Sequence, residues 1–295
     1  MSSQRVALVG VLFAMVGSSA ECGATVSLKG TKLVVKCDDT PTVILVDGMD
    51  RLGEVTVFVD SDPVGQFNGI RDIDVKGGDG GDSLFVGGIR IGGTLKAKLA
   101  NGDDFIAIGT ARSVAIDQQS VFIGQNVDLS LGGQAGDVVR VDVDSGDFGI
   151  TIGRDFVARD VADFDFDGEG ETNAFDVEDI TIGGQLKLRG KLAADLTGDL
   201  LSFRMTNVNV AGATTIELGA GDDKVRLADC SFGGKLTAKL GAGDDTFEAG
   251  LSSNTACVFF GAASIRGGSG DADSITMNSN EFVQPVTVTQ FEAGP

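Results

Sequence analysis

Histidine, tryptophan and tyrosine are absent from this sequence, and proline occurs only 4 times in 295 residues. Each absence excludes chemistry. Without His there is no Ser-His-Asp or Cys-His machinery, no imidazole acid–base group near neutral pH and no His-ligated zinc. Without Trp or Tyr there are no amphipathic ring platforms of the kind that stack on sugars. Positive charge is scarce: 23 Lys+Arg face 43 Asp+Glu, a formal charge of -20. A phosphate backbone needs a basic footprint, so nucleic acid is a poor partner. What is present is glycine, 44 residues, about twice the usual share of ~7%. The apolar fraction is 42%, too high for a disordered polyanion. Much glycine with little proline implies one kind of tight turn used repeatedly.

Residues 1–20 read as a secretory signal peptide. Arg5 is the basic n-region, residues 6–16 the apolar h-region, and Ser18-Ser19-Ala20 a small-residue cleavage site. Cleavage after Ala20 leaves 275 residues with 22 basic against 43 acidic, a formal charge of -21. The apolar run is short for a membrane span, and no later segment carries a long one. The expected location is therefore secreted or cell surface, extracellular or periplasmic. The 4 cysteines fit an oxidising compartment. Cys22 and Cys37 flank an alternating segment centred on Lys29-Gly30. A two-residue hairpin there would pair positions summing to 59, which sets Cys22 opposite Cys37, and a disulfide between them would clip the chain start.

One turn recurs along the chain. It appears as Gly77-Gly78-Asp79-Gly80-Gly81-Asp82, as Asn101-Gly102-Asp103-Asp104 and as Gly132-Gly133-Gln134-Ala135-Gly136-Asp137. Gly219-Ala220-Gly221-Asp222-Asp223 and Gly241-Ala242-Gly243-Asp244-Asp245 are near-identical copies. Gly267-Gly268-Ser269-Gly270-Asp271-Ala272-Asp273 has one residue more; Gly168-Glu169-Gly170-Glu171 resembles it, and Thr197-Gly198-Asp199 is a degraded copy. A second block precedes most turns: an apolar residue, Gly-Gly, then strict alternation, as in Ile91-Gly92-Gly93-Thr94-Leu95-Lys96-Ala97-Lys98-Leu99. Asp82 to Asp104 is 22 residues, and so is Asp223 to Asp245. A unit of ~22 residues holding short strands and glycine corners predicts an all-β fold: one elongated parallel β-solenoid (β-helix) over residues 21–295. About ten stacked coils at ~4.8 Å would make a rod ~50 Å long. Residues 22–37 are the expected N-terminal cap. Cys230 and Cys257 each lie 13 residues before a turn glycine, Gly243 and Gly270. The spacing places them on neighbouring coils, within disulfide reach.

Residues 77–85 fit G-G-x-G-x-D-x-U-x, and the Asp223 and Asp245 turns fit it less the first Gly. In these turns the chain resembles secreted bacterial glycine/aspartate-rich proteins of the RTX (repeats-in-toxin) type. The resemblance implies Ca²⁺ in the turns. The longer unit here is similar to that of parallel β-helices such as pectate lyases and surface adhesins.

Stacked turns would bring like charges together, and a hard cation taking carboxylate and backbone oxygens would reverse the repulsion. The candidate calcium ligands are Asp79, Asp82, Asp103, Asp104, Asp222, Asp223, Asp244, Asp245, Asp271 and Asp273. The competing reading has each Asp bond turn amides. Asp163, Asp165 and Asp167 alternate on one strand face, either as a carboxylate cluster or as a solvated face over Phe164 and Phe166. No nucleophile, base or cofactor site stands out. The expected role is a non-catalytic structural, matrix or adhesive protein with cell-envelope or matrix partners. The alternative is a polysaccharide-acting β-helix lyase or glycosidase.

Overall fold

Alternation decides the architecture. In residues such as Leu236-Thr237-Ala238-Lys239-Leu240, Leu236, Ala238 and Leu240 are buried while Lys239 is exposed. That is the period-2 signature of a strand with one face on a core. The computed structural model describes residues 23–48, 51–109, 120–132, 137–141, 149–161, 175–190, 202–250 and 255–291. Residues 1–20, expected to be a signal peptide, Cys22, the Asp163–Asp165–Asp167 strip, residues 133–136 of one turn copy and the turn copies at 168–173 and 197–199 lie outside them. Every regular element among the described residues is a strand.

The strands form two large sheets, of 11 and 17 strands. Ten strands of the first pair in parallel with their neighbours. Ile73 sits opposite Leu95, Leu95 opposite Val127, Val127 opposite Phe156, and Phe156 opposite Leu186. The ladder continues through Thr214, Leu236, Ala263 and Val286. Sequence separations along it run from 22, for Thr214 and Leu236, to 40, for Lys32 and Asp72. The second sheet runs alongside, with Leu84 opposite Ile106 and Ile106 opposite Val139.

The inward residues of both sheets join in one apolar cluster from Val26 to Ile265. Phe232, Phe259 and Phe282 lie in register, and their rings stack at centroid distances of 5.2 and 4.8 Å. At ~25 cal/mol per Å² of apolar surface, this column is the main stabilising term.

Among the described residues, antiparallel pairing is confined to the N-terminal end. Ala24–Lys29 forms a hairpin with Lys32–Cys37, as expected, but in a different register. Ala24, not Cys22, faces Cys37, because the turn is Gly30-Thr31 with Gly30 at φ 65. A two-residue hairpin turn favours glycine at its first central position, which outweighs the Lys29-Gly30 centring. Val43–Asp47, Val55–Val59 and Asp62–Phe67 form an antiparallel meander that the repeat does not foretell. At the other end Glu281–Phe282 and Val286–Thr289 continue the parallel ladders.

Candidate functional site

The Gly-Asp turns stack on one another, and glycine is required where they touch. Gly102, Gly221 and Gly243 take φ of 126, 125 and 133, outside the range of L side chains. A Cβ on Gly243 would also meet the carbonyl oxygen of Gly221 in the turn above. Backbone approach this close brings the carboxylates of successive turns into two separate columns.

The inner column is buried. Asp82, Asp104, Asp137, Asp223 and Asp245 are 0% exposed and Asp273 is 3% exposed. Five of these carboxylates, Asp82, Asp104, Asp137, Asp245 and Asp273, accept a backbone amide from the preceding turn through Oδ1. Thr42 N donates to Asp82 at 3.1 Å, Asp82 N to Asp104 at 2.8 Å, and Asp104 N to Asp137 at 3.1 Å. Asp223 N donates to Asp245 and Asp245 N to Asp273, both at 2.8 Å. Asp82 also accepts Gly78 N on Oδ2 at 2.9 Å. The Oδ2 atoms of Asp104, Asp245 and Asp273 are buried with no hydrogen-bond partner. Desolvation, assisted by neighbouring carboxylates, pushes Asp104 and Asp245 up to about 7 and raises Asp82.

The outer column is exposed and makes the same kind of contact. Asp244 N donates to Asp222 Oδ1 at 2.8 Å; Asp271 N and Ala272 N both donate to Asp244 Oδ1 at 3.1 Å. Asn101 Nδ2 donates to Asp79 at 2.7 Å. Asp103 is exposed in the turn above. Stacking therefore unites the expected ligands within two groups, Asp79 to Asp104 and Asp222 to Asp273, and divides each into buried and exposed members. Among the described residues, no group of three or more acidic or thiol side chains is placed to hold a metal ion.

Cys230 and Cys257 occupy equivalent positions on adjacent strands, one residue before Ser231 and Val258, which pair. Both are buried thiols in contact with each other. Burial raises the Cys230 thiol, and its hydrogen bond favours the charged form at Cys257. Cys37 is a buried thiol pushed up to about 12, by burial first and Asp82 second.

Two further corners complete the path of the chain. The Gly-Gly block stacks through Gly124 N to Ile91 O, Gly153 N to Ile123 O and Gly183 N to Ile152 O, at 2.8 to 2.9 Å. At the other corner left-handed residues stand in register, Gly88 at φ 57 and Asp179, Asn207, Asp229 and Ser279 at φ 52 to 53. Asn and Asp tolerate that region, but single ones give no repeat signal in the sequence.

Compared with protein-family models, curated proteins and solved structures, the chain matches no family model, no curated protein and no solved structure.

Proposed function

We propose that the chain is a parallel β-solenoid working outside the cytoplasm as a non-catalytic structural or adhesive element. The carrying observation is that the buried carboxylates cap backbone amides of neighbouring turns, as in Asp223 to Asp245 to Asp273. A carboxylate held this way is a fastener: its Oδ1 is engaged by the amide of the neighbouring turn and the group is buried within the stack. The secretory leader expected at residues 1–20 supports the location. The test is incubation with acidic and neutral glycans. No new reducing ends or unsaturated products are expected; their release would favour the lyase or glycosidase alternative.

Calcium in the Gly-Asp turns is a second reading, favoured by the buried Oδ2 atoms of Asp104, Asp245 and Asp273, which lack a partner. A hard cation or a proton would each relieve them. Millimolar Ca²⁺ raising the melting temperature above that in EDTA supports the cation; an unchanged melt leaves the proton.

A further inference from the structure

We propose that the outer face of the 11-stranded sheet binds a linear acidic polysaccharide along a column of cations. The column is one register position followed down ten strands. Lys36 lies opposite Lys76, Lys76 opposite Lys98, Lys98 opposite Ser130 and Ser130 opposite Arg159. The register shifts by one residue after Ala158, so Arg189, which follows Ala158's partner Leu188, stands against Arg159 and Asp160 together; it lies opposite Glu217. Glu217 faces Lys239, Lys239 faces Arg266, and Arg266 faces Thr289. Seven of the ten positions are thus Lys or Arg and one is acidic. In a chain with 23 such cations in 295 residues, composition alone would place about one there.

The column's own surroundings do not use up this charge. Arg159 pairs with Asp128, and Glu217 bridges Arg189 and Lys239 at 2.9 and 3.1 Å. Lys36, Lys76 and Lys98 are exposed and make no ion pair among the described residues. Three lysines stacked at the ~4.8 Å strand spacing repel one another, so the arrangement costs the free protein stability. It suits an extended polymer bearing an anion on each successive unit. Beside the C-terminal half of the column runs a row of hydroxyls, Thr215, Thr237, Ser264 and Thr287, also in register. Hydroxyls answer sugar hydroxyls. A groove of about 280 Å³ lies against Lys239, Arg266, Ser269 and Gln290. Single-stranded nucleic acid fits less well, because it needs aromatic stacking platforms and neither the cation column nor the hydroxyl row beside it holds an aromatic residue.

The choice of a glycan rests on the extracellular reading above; the column rests on strand register alone. The probe is polygalacturonate, with one carboxylate per sugar, titrated at low salt in EDTA so that calcium cannot bridge it to the acidic turns. Binding that weakens as salt rises is expected. The triple variant Lys36→Gln, Lys76→Gln, Lys98→Gln should bind about tenfold more weakly. The control triple Lys29→Gln, Arg154→Gln, Lys235→Gln, exposed elsewhere, should match the unmodified protein. Melting curves establish folding, and Lys98→Glu serves as a milder variant should the triple be unstable. The proposal is overturned by no binding of the unmodified chain, by equal loss in both triples, or by equal affinity for a methyl-esterified polymer or a DNA oligonucleotide. Failure of the scaffold reading would show separately, as reducing ends in the same mixtures.

Discussion

The buried carboxylate column makes the protein's stability depend on pH in an unusual direction. Asp104 and Asp245 are held up to about 7 in the fold, by desolvation first and neighbouring carboxylates second. Unfolded, each returns to the ordinary value near ~3.9. Between those values the folded chain holds more protons than the unfolded one, so stability falls as pH rises from about 4 through about 7. Over pH 5 to 8 roughly two pH units separate the states, at ~1.36 kcal/mol per unit, or at most ~2.7 kcal/mol per site. Denaturant unfolding in EDTA should therefore give a lower midpoint at pH 8 than at pH 5. General self-repulsion of a -20 chain acts in the same direction. Asp245→Asn separates the two. Its amide oxygen still accepts Asp223 N, and the buried charge is removed. The variant should match the unmodified protein near pH 5, exceed it at pH 8 by about 1–3 kcal/mol, and flatten the pH slope. A variant that is weaker at both pH values would refute the buried-proton reasoning. If calcium takes the proton's place, adding it at pH 8 should stabilise the unmodified protein and have less effect on Asp245→Asn.

Other consequences follow from packing. Phe259→Ala removes the middle ring of the Phe232–Phe259–Phe282 stack and should cost about 3–5 kcal/mol in denaturant unfolding. Gly243→Ala should cost about 1–3 kcal/mol through its positive φ and the Gly221 carbonyl. Gly92→Ala, with open space around it, should cost ~1 kcal/mol or less; equal losses would contradict the stacking of turns. Protein exported to an oxidising compartment should carry a Cys230–Cys257 disulfide by peptide mass mapping and gain about 3–4 kcal/mol over the reduced form. Full alkylation of both thiols without reductant would contradict it.

Much of this was legible in the sequence where the chemistry repeats at a constant interval. The Asp82–Asp104 and Asp223–Asp245 spacings of 22 announce carboxylates in adjacent turns, and the structure hydrogen-bonds those pairs. The split into buried and exposed columns was hidden, because Asp222 and Asp223 are the same residue type on opposite faces of a turn. The Asp179–Asn207–Asp229–Ser279 corner was hidden because lone polar residues carry it there, where an earlier strand has Gly88. The cation column was hidden for a different reason. Its members are 40, 22 and 32 residues apart over the first three steps, so no fixed period exposes them until strand register is known. The hairpin register failed on local turn chemistry, with Gly30 moving the turn one residue along.

The acid columns and the cation column all depend on parallel stacking in the stated register, and engineered cross-linking tests it most directly. Thr215 and Thr237 are Cα partners on adjacent strands of the outer face, whereas Thr215 and Ser264 are two strands apart. Cysteines at the first pair fall within the ~4.4–6.8 Å reach of a disulfide; cysteines at the second do not. The account predicts that Thr215→Cys with Thr237→Cys oxidises to an intramolecular disulfide in the folded protein, with the melting temperature kept or raised. It predicts that Thr215→Cys with Ser264→Cys stays reduced under the same conditions. Ready cross-linking of the second pair, or none of the first, would contradict the stacking and everything built on it.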